Sequence, residues 1–427
     1  MQNKTIGNLF KGDKVVWMIF FFLCIISVIE VFSASSQLSY EKGSYFMPIF
    51  KHILLLVLGI FCIIITLNIK CKYFKIATPF LLIFSVFTLI WVFFAGQTTN
   101  GAQRWVSILG IQFQPSEIAK GTLVLATAQI LSAMQTPDGT DKNAFKYILW
   151  LCVVIIPLIM VENFSTAALL YVVIIIMMFI GRVPWKQIGP LLGVTALMLV
   201  AGYLLIMNLG KSTPQTPNQQ LTEQLTVKKE KPNLIEKVFH RVDTWRSRLE
   251  SHDSDTDVAP EKVDLVEKGA QKAHASIAIA SCNIVGKGPG NSVERDFLSQ
   301  AFSDFIYAII IEEMGIAGGS FVALLYIFLL FRAGRIALRC ENNFPALLVM
   351  GLAILLVSQA LFNMSVAVGI APVTGQPLPL ISKGGTSTII NCIYIGVILS
   401  ISRSAKQRNG ATQLSASDEM TIAKYNL

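Results

Sequence analysis

The sequence predicts an all-α, polytopic membrane protein with about ten transmembrane helices, on three observations. Of its 427 residues 53% are hydrophobic and only 14% are charged; the apolar residues fall in long unbroken blocks; and Lys and Arg gather in alternate short loops between them. A block of about 20 apolar residues crosses hydrocarbon as a helix, because each backbone N–H and C=O must then find its partner inside the segment. Such blocks lie near residues 14–34, 48–68, 76–95, 116–134, 146–161, 165–181, 188–208, 304–331, 345–370 and 386–402.

The formal charge of +9 does not point to nucleic acid, because its placement follows topology. Lys4, Lys11 and Lys14 precede the first block; Lys70, Lys72 and Lys75 follow the second, Lys142 and Lys146 the fourth, Arg182 and Lys186 the sixth. Arg332, Arg335 and Arg339 follow the eighth, and Arg403, Lys406 and Arg408 the tenth. Cytoplasmic loops carry the excess of Lys and Arg, so both termini are expected inside a plasma (inner) membrane, residues 209–303 outside it, and residues 404–427 as a cytoplasmic tail of one 1–427 membrane domain. The opposite short loops hold little beyond Lys42, Arg104 and Lys383, so those outer cations need a reason. The first block is too long for a removable signal peptide and lacks a small-residue cleavage site, so it reads as the first span. Cys24, Cys62, Cys71, Cys152, Cys282, Cys340 and Cys392 include no C-x-x-C pair and no metal-ligand spacing; they read as small packing residues.

Taken in order, the first span holds Glu30, costly against lipid but near enough to the outer end to reach the interface, or else functional. After a short polar loop, Ser35 to Phe46, the second and third spans read as plain lipid-facing helices. The next outer loop carries Gly101-Ala102-Gln103-Arg104-Trp105 and then Gln114-Pro115-Ser116-Glu117, with Lys120 one turn on. Pro-Ser-Glu reads as a helix start. Glu117 and Lys120 share a face at i,i+3, as a structural ion pair or as a grip on an anionic lipid head group, and Trp105 reads as an interfacial anchor. Glu162-Asn163 reads as a turn with a helix cap.

Residues 209–233, rich in Pro, Thr, Gln and Lys, read as flexible. From Leu234 to Glu250, Ile235, Val238, Val242, Trp245 and Leu249 recur at steps of three and four, an amphipathic helix with a basic face; residues 251–268 read as an acidic loop. A short helix in the Gln271 to Asn291 stretch runs into Gly286-Lys287-Gly288-Pro289-Gly290, a tight turn without the Lys-Ser/Thr and helix of a phosphate loop.

The eighth span starts at Asp304, which can cap the helix or serve as an acid/base at the membrane edge. Glu312 and Glu313 inside this span need a cavity or partners, and Gly315, Gly318 and Gly319 permit close packing or a kink. Gln359 and Asn363, at i,i+4, must face the bundle interior. The stretch from Gly369 to Ser387, too apolar for a solvent loop and too rich in Pro and Gly for a helix, reads as backbone dipping into the protein, where it must line a cavity.

Together these pieces resemble the SEDS family (shape, elongation, division and sporulation), the FtsW/RodA-type peptidoglycan glycosyltransferases, over nearly the whole membrane domain. Three motifs carry the resemblance: the Gly101 to Trp105 and Gln114 to Lys120 stretches; Ser303-Asp304-Phe305-Ile306-Tyr307 with Glu312, Glu313 and Gly315; and Asn363, Pro372, Thr374, Gly375, Pro377, Pro379, Ile381-Ser382, Gly384-Gly385 and Ser387. Departures are Ser299, Gln300, Phe302 and Ser303 ahead of the aspartate, Glu162-Asn163-Phe164-Ser165-Thr166 after the fifth span, and Lys383.

The resemblance implies polymerisation of lipid II into glycan strands, with Asp304 as the residue on which activity depends. It implies a substrate-binding set of Arg104, Trp105, Glu117, Lys120, Gln271, Ser303, Thr374, Ser382, Lys383, Gly384 and Gly385. A base must take the acceptor hydroxyl proton and cations must stabilise the leaving pyrophosphate; Arg104, Lys120 and Lys383 are the outer cations available, with a divalent cation (Mg or Mn) as a supplement and no metal-ligand set in the sequence. Implied partners are a class B penicillin-binding transpeptidase and other division-complex membrane proteins. The alternatives are a RodA-like elongation polymerase, a lipid II flippase and a scaffold. A flippase should carry its polar sites near mid-membrane, whereas these cluster at the outer face. The Val31 to Ser35 end of the first span looks FtsW-like.

Overall fold

The computed structural model describes residues 11–35, 47–95, 97–99, 102–108, 111–137, 139–209, 270–298 and 301–425. The amphipathic stretch 234–250 and the loops at 36–46, 210–233 and 251–268 lie outside them. The chain divides into two units, residues 1–184 with 271–427, and residues 185–270.

In the first unit every expected apolar block is a helix: α1 (Lys14–Ala34), α2 (Met47–Asn68), α3 (Cys71–Ala95), α4 (Pro115–Ala133), α5 (Lys142–Glu162) and α6 (Phe164–Ile180). The block at 188–208 is α7 (Trp185–Leu209), the described helix of the second unit; α8 (Ala270–Ala280) follows, then α9 (Ile306–Ala337), α10 (Asn343–Ala367) and α11 (Thr386–Tyr425). Among the described residues eight helices are long and apolar enough to cross a membrane. The two remaining blocks fall short for evident reasons. The α6 helix has 17 residues, and α4, with 19, carries Glu117 and Lys120.

Local chemistry sets the helix starts. Asp13 accepts from the Val15 and Val16 N–H groups at 3.0 and 3.3 Å, Asp141 from Asn143 at 2.7 Å, and Asn163 from Ser165 and Thr166 at 3.2 and 3.4 Å. Pro115 opens α4, where its missing N–H costs nothing.

Two of the expected boundaries are corrected. Helix α9 begins at Ile306 with Phe305 as its capping residue and no side-chain cap, so Asp304 is not the helix cap. The last helix runs on through the polar tail to Tyr425 instead of stopping near residue 402, no proline interrupting that sequence. The loop after α3 is also more ordered than a coil: β1 (Gln97–Thr99), β2 (Ala102–Ile108) and β3 (Ile111–Phe113) form an antiparallel sheet, with Gln97 opposite Trp105 and Val106 opposite Phe113.

The core of the first unit lies where α10 packs on α4, α6 and α9. Residues from Leu347 to Ala360 on α10 are buried on nearly every face, whereas α3 turns Phe80 and Ile83 outward, each about 70% exposed, as a lipid-facing helix would. Helix α9 breaks at Gly315, whose φ of 73° no ordinary residue adopts readily.

Candidate active site

The backbone leading into α9 is clamped at three successive carbonyls. Phe302 C=O accepts from the Lys383 N–H at 3.0 Å, Ser303 C=O from the Ser382 hydroxyl at 2.5 Å, and Asp304 C=O from the Asn363 amide at 2.8 Å. Outside a helix these groups would otherwise be under-satisfied where they are half-buried. The Asp304 carboxylate accepts from the Ser303 hydroxyl at 3.0 Å.

The clamp comes from the dipping segment. Ser382 also accepts from the Leu378 N–H at 2.8 Å, closing a tight turn in which Leu380, 2% exposed, adopts a φ of 67°. Tyr326 of α9 donates to the Pro379 carbonyl, and Asn363 to that of Gln376 at 2.7 Å. The Gln376 side chain reaches Thr166 on α6 at 2.8 Å. Thr374 is buried and its hydroxyl makes no hydrogen bond among the described residues. At Gly384 a Cβ would sit 2.1 Å from the Ser387 hydroxyl, whereas Gly385, with a φ of 56°, faces open space. Irregular backbone here is held by side chains from α6, α9 and α10, the condition under which it survives at membrane depth.

Behind this segment lies a buried ionic centre. The Lys120 ammonium, 1% exposed, contacts Glu117 at 2.8 Å and Gln359 Oε1 at 2.8 Å. Gln359 in turn donates to Pro377 C=O at 3.2 Å, and Tyr394 of α11 to Glu117 C=O at 2.6 Å. Gln359 and Asn363, one turn apart on α10, thus tie the Lys120 pair and Asp304 to the same loop. Lys383 approaches differently, its ammonium 5.0 Å from the centre of the Phe302 ring.

Further along α9, the loop after α8 fills the break in the helix. Glu312, fully buried, accepts from Lys287 at 2.6 Å, the Ser292 hydroxyl at 2.5 Å and the Val293 N–H at 3.1 Å. Glu313 accepts from Ser33 of α1 and from the N–H groups of Gly290 and Ser292, at 2.9 and 3.2 Å for the latter two. The Glu312 and Glu313 backbone carbonyls, which the break frees, accept from the Lys287 and Gly288 N–H groups at 3.0 and 2.8 Å. The glycine cluster is therefore a plug for a broken helix. Glu30 lies one turn from Ser33 on α1, fully buried, and both its carboxylate oxygens lack a hydrogen bond among the described residues.

Of the expected site residues the structure brings Asp304, Ser303, Ser382 and Lys383 together and seats Thr374, Gly384 and Gly385 in the same segment. Glu117 and Lys120 stand one hydrogen-bonded layer behind. Trp105 is half-buried in β2, next to Arg104 in that strand, and Gln271 is half-buried in the first turn of α8. The sequence-based set omits Asn363, Gln359 and Gln376, although polar side chains at i,i+4 in an apolar span are the signal for the first two. Among the described residues no group of three or more His, Cys, Asp or Glu side chains could hold a metal ion. These residues do not by themselves make a divalent-cation site.

Fold and site together define a polytopic helical membrane protein with an ordered carboxylate beside a re-entrant loop. The family model of the FtsW, RodA and SpoVE cell cycle proteins matches residues 13–230 and 233–407, and the chain belongs to that family. A relative from Geobacter sulfurreducens, named "Probable peptidoglycan glycosyltransferase FtsW", is 28% identical over 93% of this chain and 96% of its own. A Coxiella burnetii protein of the same name is 27% identical over 89% and 93%. The fold is similar to that of a chain solved in a peptidoglycan synthase complex, with a TM-score of 0.66 at 23% identity over 93% of this chain and 99% of that one. It is also similar to Thermus thermophilus rod shape determining protein RodA, with a TM-score of 0.61 at 21% identity over 93% and 99%.

Proposed function

We propose that this protein is a peptidoglycan glycosyltransferase that polymerises lipid II at the outer face of the plasma membrane, in cell division. The growing glycan on one polyprenyl pyrophosphate passes to the sugar hydroxyl of another lipid II, forming a β-1,4 link. The new C–O bond forms as the bond to pyrophosphate breaks, and the acceptor hydroxyl proton goes to the Asp304 carboxylate.

One observation supports Asp304 as the base: the three clamped carbonyls at 302–304 hold its backbone in a fixed, non-helical conformation ahead of α9. A positioned general base contributes about 10²–10⁴-fold. Lys383 and Arg104 are the cations proposed for the leaving pyrophosphate, with Trp105, Gln271, Ser303, Thr374, Ser382, Gly384 and Gly385 around the sugars. Glu117 and Lys120 act from behind, holding the loop through Gln359. A polyprenyl tail can stay in the bilayer beside such a site. The division role rests on relatives that carry the FtsW name, and a class B penicillin-binding transpeptidase is the proposed partner. The charge pattern supports cytoplasmic termini.

The test is purified protein with its transpeptidase partner and labelled lipid II. Asp304→Ala should lower the polymerisation rate by at least about 10²-fold. Equal polymer from both proteins would dismiss the assignment.

A further inference from the structure

A buried histidine on α2 reaches the catalytic loop through one intermediary. His52, 1% exposed, has its Nε2 atom 2.8 Å from the hydroxyl of Ser27 on α1, itself fully buried. That hydroxyl lies 2.6 Å from the Ile381 carbonyl oxygen. The direction of both bonds follows from donor inventory. A carbonyl oxygen only accepts, so the single Ser27 proton points to Ile381. His52 Nε2 must then be the donor to Ser27, and a second proton on Nδ1 would bury a charge with no acceptor facing it among the described residues, so the ring is the neutral Nε2–H tautomer. Its Nδ1 atom, left as an acceptor, has no hydrogen-bond partner among the described residues.

Ile381 immediately precedes Ser382 and Lys383, whose hydroxyl and N–H hold the two carbonyls ahead of Asp304. Two helices remote in sequence therefore converge on one carbonyl at the root of the clamp. We infer that His52 is a positioning residue for the transfer reaction: through Ser27 it fixes the Ile381 carbonyl, and with it the turn that aligns the backbone of Asp304. This rests on the assignment of Asp304 as base. The requirement is for an N–H donor at the Nε2 position, not for a titrating imidazole, so a glutamine amide should serve.

Full-length His52→Gln, His52→Leu and Ser27→Ala proteins would be compared for lipid II polymerisation kinetics, thermal midpoint and hydrogen–deuterium exchange of the 378–388 backbone. His52→Leu and Ser27→Ala should lower kcat about 10- to 100-fold with KM little changed, and speed exchange at 380–384. His52→Gln should restore kcat to within about threefold and keep native protection. If His52→Gln and His52→Leu behave alike, or if exchange at 380–384 is native in both His52→Leu and Ser27→Ala, the inference is overturned. Should His52→Leu not fold, the Ser27→Ala and His52→Gln pair decides it by the same readouts. The exchange measurement does not depend on turnover, so an active Asp304→Ala protein would sink the base assignment while leaving the role of His52 in the loop to be judged separately.

Discussion

Gly286 and Gly315 meet backbone to backbone. A Cβ on Gly315 would lie 2.2 Å from the Ile284 carbonyl oxygen, and one on Gly286 would lie 2.3 Å from that of Glu313; both residues have positive φ, 73° and 80°. No side chain can be inserted without separating the loop from the break in α9. Gly315→Ala should therefore destabilise the protein by about 2–4 kcal/mol, from backbone strain and overpacking together. The thermal midpoint in detergent checks this, with Gly193→Ala as control because a Cβ there meets nothing within 4 Å. Equal midpoints for the two variants would contradict the plug.

The Glu117–Lys120 pair predicts strong non-additivity. Both residues are buried, 3% and 1% exposed, so removing one charge strands the other. Lys120→Met alone should cost about 3–5 kcal/mol, and the Glu117→Gln/Lys120→Met double variant should be more stable than Lys120→Met. A double-mutant cycle in denaturant reads the coupling. Simple additivity would mean the charges do not depend on each other.

Asn363 divides its two amide protons between the carbonyls of Asp304 and Gln376, at 2.8 and 2.7 Å. Asn363→Leu leaves both acceptors without this donor, at a cost of about 2 kcal/mol. Its larger effect should be on rate, with kcat down about tenfold or more and lipid II binding less affected, since the backbone of Asp304 loses its anchor. Steady-state polymerisation distinguishes the two; a rise in KM at constant kcat would argue against positioning.

At the start of α1 a prediction concerns pH. Burial pushes the Asp13 carboxyl up, but the hydrogen bonds and charge of Arg332, with the Val15 and Val16 N–H groups, outweigh it and hold the group below its ordinary 3.8. Arg332 Nε lies 2.9 Å from both carboxylate oxygens and its Nη2 2.7 Å from one. A lowered native pKa means the stabilisation is fully present above the ordinary value and disappears as pH falls through the native one. Asp13→Asn should cost about 2 kcal/mol at neutral pH, between exposed and fully buried pairs, and should flatten the loss of stability below about pH 4. Parallel pH profiles for the two proteins would contradict this.

Much of the molecule is legible in its sequence because the bilayer leaves little choice. A run of apolar residues must become a helix, so the positions of all ten blocks follow from composition, and Asn163 and Pro115 mark starts by chemistry confined to one turn. The Glu117–Lys120 pair is likewise an i,i+3 matter. The need for partners at Glu312 and Glu313, and for a kink near the following glycines, can be read from the cost of burying charge.

What the sequence leaves open is set by contacts between residues far apart in the chain. Asp304 beside an apolar run reads equally as a helix cap; it is displaced from that role because Asn363, Ser382 and Lys383, 59 to 79 residues away along the chain, hold the carbonyls before the helix. Lys120 shows its Glu117 partner in the sequence, but Gln359, its second partner, lies 239 residues on. His52 carries no local pattern at all, and its tautomer follows from a serine on one helix and a carbonyl in a loop more than 300 residues away. Helix formation is decided within a turn or a span, but the direction of a buried hydrogen bond depends on which partners the packed bundle brings within about 3 Å, and that only the tertiary structure decides.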